Sequence, residues 1–177
     1  VAFAHISHLL RELTTMLTTS ALRLVSFVRR LHTADAWLTV TGLLMLAVLA
    51  ATTAGLWLDP RVIAGAPAWL KPSKFALAAG SYSLTLAWLF TFLTGAPRTR
   101  YVVSRVTSVV FVLEVALVAL QAWRGTTSHF NNATPFDAAV FAVMGVAIPL
   151  IGILDSERTQ DVMNKTLDRI AETRAKV

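Results

Sequence analysis

The sequence predicts an all-α integral membrane protein: a four-helix transmembrane bundle with an N-terminal amphipathic interfacial helix and a charged C-terminal cytosolic helix. Three observations carry that expectation. Of 177 residues, 55% are hydrophobic and only 15% charged, whereas a soluble domain carries about 25% charged residues. The apolar residues gather into four long runs, and a helix needs about 20 of them to cross a bilayer. The charges collect between and beyond those runs.

Residues 1–32 come first. Phe3, Ile6, Leu10, Leu13, Leu17, Leu24, Phe27 and Leu31 recur every three or four residues, while Arg11, Glu12, Arg23 and Arg30 fall on other faces. That periodicity predicts a helix lying in the membrane interface; a helix packed on a partner subunit is the alternative. Arg29-Arg30 ahead of an apolar stretch looks like a twin-arginine signal, but the long amphipathic segment before it favours a retained helix.

Residues 33–154 hold the four spans, at about 36–58, 75–94, 102–123 and 135–154. Thr33 is the expected N-cap of the first. Gly95-Ala96-Pro97 should stop the second. The fourth opens at Thr134-Pro135-Phe136-Asp137, where threonine caps, proline suits the first helical position and the acid faces the positive end of the helix dipole. Residues 155–177 form a charged cytosolic tail with helical acid-to-base spacing in Asp161 and Lys165, and in Glu172 and Lys176. The chain reads as one domain.

Twelve of the sixteen basic residues fall in the N-terminal segment, the loop around Arg98 and the tail, and four (Arg61, Lys71, Lys74, Arg124) on the opposite side. The positive-inside rule therefore places both termini in the cytoplasm of a bacterial inner membrane, with loops 59–74 and 124–134 outside. The net charge of +6 is thereby read as Lys and Arg facing anionic lipid, with no nucleic-acid partner.

The third run carries the chemistry. Thr107, Glu114, Gln121 and Arg124 follow helical steps that keep them on one face. Glu114 lies ten residues from Arg124, about 15 Å along a helix, and so deep in hydrocarbon. A buried acid there is either neutral or paired across helices, and is a protonatable functional candidate by default. Ser81, Tyr82, Thr85, Thr52 and Thr53 are expected partners for it; a neutral pin between helices is the structural alternative.

Gln121, Arg124, Ser128, His129 and Asn131 cluster at the mouth of that stripe, and Lys71 and Lys74 begin the second span on the same side. These seven residues are the expected ligand-binding set, for a phosphate, carboxylate or lipid headgroup. In the expected arrangement Arg124 and Lys74 hold the anion, His129 and Asn131 orient it, and Gln121 bridges the pocket to Glu114. Gly125 should end the third span in a left-handed conformation, and Trp69 and Trp123 suit an interfacial belt.

The chain has no cysteine, which excludes disulfides, iron–sulfur clusters and thiolate zinc sites. His5, His8, His32 and His129 do not share a depth on different spans, so no haem or metal is expected, and the cofactor stays unassigned. Phosphate loops, GxSxG elbows and paired-carboxylate motifs are missing; the residues favour a non-enzyme. Expected partners are the lipid bilayer and either further copies of the chain, as a homo-oligomer, or a larger membrane complex.

The block WLKPSKF at 69–75, Glu114, and QAWRGTTSHFNNATPFD at 121–137 resemble a group of uncharacterised bacterial multi-spanning membrane proteins, over roughly residues 65–150. The resemblance implies a shared basic, His-containing outer site above a buried acid, and no particular reaction. It aligns this chain with the four-span N-terminal part of that group. If further spans normally complete the site, a second copy or another subunit would supply them here. The residues thus support three expectations: a membrane protein binding a small anionic or amphiphilic ligand, with proton-coupled transport as its output; an accessory or assembly subunit of a larger, for example respiratory, complex; or a membrane redox protein holding haem or quinone.

Overall fold

The computed structural model describes residues 2–93 and 97–146, together with Pro149, Gly152 and Asn164. The chain is mostly helical. Its elements are α1 (Ala2–Ala34), α2 (Ala36–Leu58), a hairpin of β1 (Val62–Ile63) and β2 (Ala66–Pro67), α3 (Leu70–Phe90) and α4 (Pro97–Trp123), followed by the apolar helix α5 (Pro135–Val146). Two of these helices, α2 and α4, are long and apolar enough to cross a membrane. The expected end of the fourth run, at 147–154, and the tail at 155–177 lie outside the described residues, apart from the three named above.

Several boundaries differ from those read in the sequence. The cap between the first two helices is Asp35, not Thr33: its Oδ1 accepts the backbone N–H of Leu38 at 2.9 Å, while Thr33 remains inside α1 and its hydroxyl bonds the Arg30 carbonyl. Burial of Leu31 explains the shift, because the apolar stripe of α1 continues into the bundle core beside Leu38, Ala87, Phe90 and Val103. The second apolar helix begins at Leu70 and ends at Phe90, earlier at both ends than expected. Pro97 opens α4 instead of closing the helix before it, a position where its missing N–H costs nothing. Gly95 and Ala96 are outside the described residues.

The most extensive packing is between α2 and α3, and small residues make it possible. A Cβ on Gly42 would stand 2.6 Å from Leu84 Cγ, and one on Gly80 would stand 3.2 Å from Met45 Cβ. Without those atoms the two helices approach closely. Farther along, Met45, Ala76, Ala79 and Val115 form a second core, and Val118 joins Val140 and Met144 to seat α5 on α4.

Polar side chains share the interior with apolar ones, and many large apolar side chains lie on the surface. Thr39, Thr41, Thr52, Ser83, Ser104, Thr107, Ser108, Glu114 and Gln121 are buried, whereas Val40, Leu43, Leu44, Leu77, Leu89, Val109 and Leu113 are exposed. Among the described residues, only 33% of the apolar window of α2 and 44% of that of α4 is covered by the rest of the chain. Polar clamps close both ends. At one end Asp35 Oδ1 also accepts the Ser104 hydroxyl at 2.7 Å, and Arg100 donates to the Ala34 carbonyl at 2.9 Å. At the other, Asp59 takes Arg61 and the Trp69 indole N–H, at 2.8 Å for the latter, and Arg61 reaches across to the Trp123 carbonyl at 2.9 Å.

Candidate functional site

The site is built at the hairpin end, where the loop following α4 folds back over α3. Gly125, with φ +76°, ends α4 as expected. Its N–H bonds the Ala122 carbonyl at 3.1 Å and the N–H of Thr126 bonds that of Gln121 at 3.0 Å, a Schellman motif. The loop then fastens itself through Asn131, whose Nδ2 donates to Thr126 Oγ1 and to the Thr127 carbonyl, while its Oδ1 accepts from the Ala133 N–H. Thr134 caps α5 by accepting the N–H of Asp137 at 3.1 Å, and its hydroxyl donates back to Asp137 Oδ2 at 2.7 Å. These bonds hold residues 126–130 over the start of α3.

Two buried carboxylates organise what lies beneath. Asp137 collects Gln121 Nε2 at 2.9 Å and Arg124 Nη1 at 2.6 Å on Oδ1, in addition to Thr134. Arg124 also hydrogen-bonds Gln121 Oε1 and lies 4.7 Å from the Phe136 ring centroid. Every polar group in this cluster has a partner, and the Arg124 charge is neutralised locally.

Glu114 is arranged in the opposite way. Its side chain is 3% exposed, and neither oxygen has a hydrogen-bond partner; among the described buried side-chain polar atoms, only the Ser83 and Ser108 hydroxyls share that condition. His129 approaches it from the loop, with Nε2 at 3.9 Å from Glu114 Oε1, too long for a direct hydrogen bond. The other face of the imidazole meets Lys71, whose Nζ lies 2.9 Å from Nδ1, and Ser128 Oγ lies 3.2 Å from the same nitrogen. With Lys71 as an ammonium, which can only donate, the arrangement fits the neutral imidazole that accepts at Nδ1 and carries its hydrogen on Nε2, on the side of Glu114. Burial, assisted by the positive charge of Lys71, lowers the proton affinity of His129 below its ordinary value of 6.5. Phe75 and Phe141 flank the ring at 5.8 and 6.3 Å.

A cavity of about 520 Å³ opens beside this group, between the hairpin, the start of α3, the end of α4 and the loop. Lys71, Lys74 and His129 are its titratable lining; Phe75, Val118 and Phe130 supply apolar wall. Lys74 forms no ion pair among the described residues.

The expected site residues therefore separate into three groups. Lys71, Ser128, His129 and Glu114 come together, with Lys74 beside them on the cavity wall. Gln121 and Arg124 turn away to Asp137, so Gln121 does not bridge the pocket to Glu114 and Arg124 is already paired. Asn131 is occupied within its loop. The hydroxyls expected near Glu114 are also displaced: Ser81, Thr85 and Thr53 fall on exposed faces, and Thr52 bonds its own helix at the Val48 carbonyl. Of the hydroxyls at positions 81–85 of α3, the buried one is that of Ser83. Asp137 is the residue whose importance the sequence understated; the Thr134-x-x-Asp137 spacing is a capping-box pattern that points its carboxylate back to the loop. Among the described residues no group of three His, Cys, Asp or Glu side chains is placed to hold a metal. No family model, no curated protein and no solved structure matches the chain, so the reading of the site rests on its own geometry.

Proposed function

We propose that this chain is a four-span membrane bundle, with both termini cytoplasmic, whose outer-facing cavity binds a small amphiphilic anion together with protonation of Glu114. The observation that carries the reading is the buried Glu114 carboxylate with no hydrogen bond, set beside Lys71, His129 and the cavity they line. The charged groups on the cavity wall are the two ammonium groups of Lys71 and Lys74, with the Glu114 carboxyl behind His129 and off the wall, and Arg124 is cancelled by Asp137. That balance attracts an anion, and the apolar wall of Phe75, Val118 and Phe130 suits a ligand with a hydrocarbon part.

Protonation of Glu114 removes the competing negative charge and leaves Lys71 to the anion. By linkage the bound anion favours the protonated carboxyl to the same extent. His129, with its Nε2–H directed at Glu114, lies between the acid and the cavity and is placed to pass that proton. Coupled entry of an anion and a proton follows, and a homo-oligomer would complete a transport path that four spans alone make narrow.

The test uses hexanoate as probe and the full chain in lipid nanodiscs. Calorimetric titration in two buffers of different ionisation heat should show proton uptake on binding. Glu114→Gln should abolish the uptake while retaining binding, and Lys71→Gln should weaken binding about tenfold, the scale of one charge-assisted contact. Hexanoate binding without proton uptake in the unaltered chain, or uptake that survives Glu114→Gln, would overturn the reading.

A further inference from the structure

We infer that the opposite end of the bundle carries a second binding site, for the phosphate headgroup and upper acyl chain of an anionic phospholipid. The inference rests on the membrane reading above but involves none of the residues of the first site. An open-sided cavity of about 560 Å³ lies there between the last turn of α1, the end of α3 and the start of α4. Two guanidinium groups, those of Arg30 and Arg100, line it.

Arg100 is held in place without being neutralised. Its Nη2 donates to the Ala34 carbonyl at 2.9 Å and its Nη1 to the Leu93 carbonyl at 3.3 Å, and it lies 5.0 Å from the centroid of the Phe90 ring. Carbonyl oxygens orient a guanidinium but remove no charge. Asp35, the nearby acid on the chain, spends its Oδ1 on the Leu38 N–H and Ser104. Among the described residues neither Arg30 nor Arg100 forms an ion pair. A fixed guanidinium with a second one beside it matches a phosphodiester oxygen pair.

The remaining walls select a lipid over a free anion. Leu31 and Phe90 form a buried floor, while Phe27, Trp88, Phe92 and Leu93 stand exposed around the rim. The exposed apolar residues Leu13, Leu17, Leu24 and Phe27 of α1 run directly into Leu31, which is buried in the bundle core. The stripe of α1 is thus continuous with the cavity floor, and bases Arg11, Arg23 and Arg30 accompany it. A helix of this kind seats its apolar face at the headgroup boundary of an anionic leaflet, which brings phosphate to the level of Arg30 and Arg100.

Trp88 on the cavity wall supplies the readout. The full chain is reconstituted in phosphatidylcholine bilayers containing either brominated phosphatidylglycerol or brominated phosphatidylcholine, and the quenching contributed by Trp88 is taken as the difference from Trp88→Phe. Brominated phosphatidylglycerol should quench that component at about thirtyfold lower mole fraction, as two basic contacts to an anionic headgroup imply. Arg30→Gln with Arg100→Gln should erase the preference. Arg30→Gln alone, which removes no structural hydrogen bond, should reduce it, so the inference is testable even if loss of Arg100 impairs folding. Equal quenching by the two lipids, or a preference unchanged in Arg30→Gln, would overturn it. Relief of quenching by millimolar inorganic phosphate would also overturn it, by assigning the site to a free anion. Failure of the chain to enter the bilayer, with no quenching by either lipid, would instead refute the membrane reading.

Discussion

Asp137 and Glu114 are two buried carboxylates at the same end of one bundle, 3% and 2% exposed, and they are treated in opposite ways. Asp137 is met by an amide, a guanidinium and a hydroxyl, each within hydrogen-bond distance. Glu114 is met by none, although Lys71 and His129 stand close to it. A buried polar group without a partner costs stability, whereas a satisfied one fixes geometry. The difference assigns the labour: Asp137 holds α5 and the loop onto α4, and that rigid frame is what allows Glu114 to be left unbonded beside a cavity. A chain selected for stability alone would put a leucine at position 114.

The comparison is broken most severely at Asp137. Asp137→Ala leaves the buried Gln121 amide without its acceptor and Arg124, whose side chain is 32% exposed, without its counter-charge, while the Thr134 cap on the backbone N–H of residue 137 stays; it should lower the thermal unfolding midpoint in detergent by roughly 5–10 °C. Gln121→Leu comes next. It removes one donor to Asp137 and one acceptor from Arg124 but leaves their ion pair, and should cost about 1–3 kcal/mol in a denaturant titration. Glu114→Gln, by contrast, should leave the midpoint almost unchanged while abolishing coupled proton uptake. A larger loss of stability from Glu114→Gln than from Gln121→Leu would reverse the assignment of roles.

How much of this arrangement is legible without coordinates depends on the range of each interaction. The Schellman turn at Gly125 and the Thr134 cap follow from a few consecutive residues, and both are where the sequence puts them. Of the face expected for Thr107, Glu114, Gln121 and Arg124, the first three are buried, whereas Arg124 is exposed. The partners are a different matter. Gln121 and Asp137 are sixteen residues apart and Lys71 and His129 fifty-eight, and no periodicity within one helix reports how a loop closes over another. The rotational phase of α3 had the same difficulty: Ser81, Tyr82, Ser83 and Thr85 present hydroxyls on several faces, and only packing of Gly80 against α2 decides that Ser83 points inward. The hairpin at Val62–Pro67 lacks an Asn-Gly turn and relies on Ala64 and Gly65 at positive φ, so its turn signal is weak.

His129 sharpens the comparison through pH, because it stands in the loop above Glu114 and is itself titratable. Burial and the neighbouring Lys71 hold its proton affinity below 6.5, so as pH falls the unfolded chain is protonated before the folded one. Stability is therefore full above pH 6.5 and declines as pH drops below it, until the folded imidazole is protonated as well. The unfolding midpoint should fall on going from pH 7 to 5, and His129→Gln should flatten that part of the profile. A slope that persists in the variant would place its origin elsewhere.

Asp59 provides the smallest effect and the sharpest control, since it resembles Asp137 in its partners but not in its surroundings. It takes Arg61 at 2.7 Å and the Trp69 indole at 2.8 Å, yet the Arg61 side chain is 44% exposed, and an exposed pair contributes little. The side-chain and backbone hydrogen bonds from Arg61, then the one from Trp69, hold the Asp59 carboxyl far below its ordinary value of 3.8. A carboxyl depressed in this way contributes its stabilisation above 3.8 and loses it as pH falls through the folded value. Trp69 emission should accordingly be constant at pH 4 and change only in stronger acid, and Asp59→Asn should shift it already at neutral pH. Because solvent and salt reach Arg61, raising ionic strength should weaken the Asp59 latch and change the unfolding cost of Asp137→Ala less, since Asp137 is 4% exposed against 19% for Asp59. Equal salt sensitivity at the two sites would mean that the Asp137 cluster is as open to water as the hairpin, and would remove the basis for treating it as the rigid frame around Glu114.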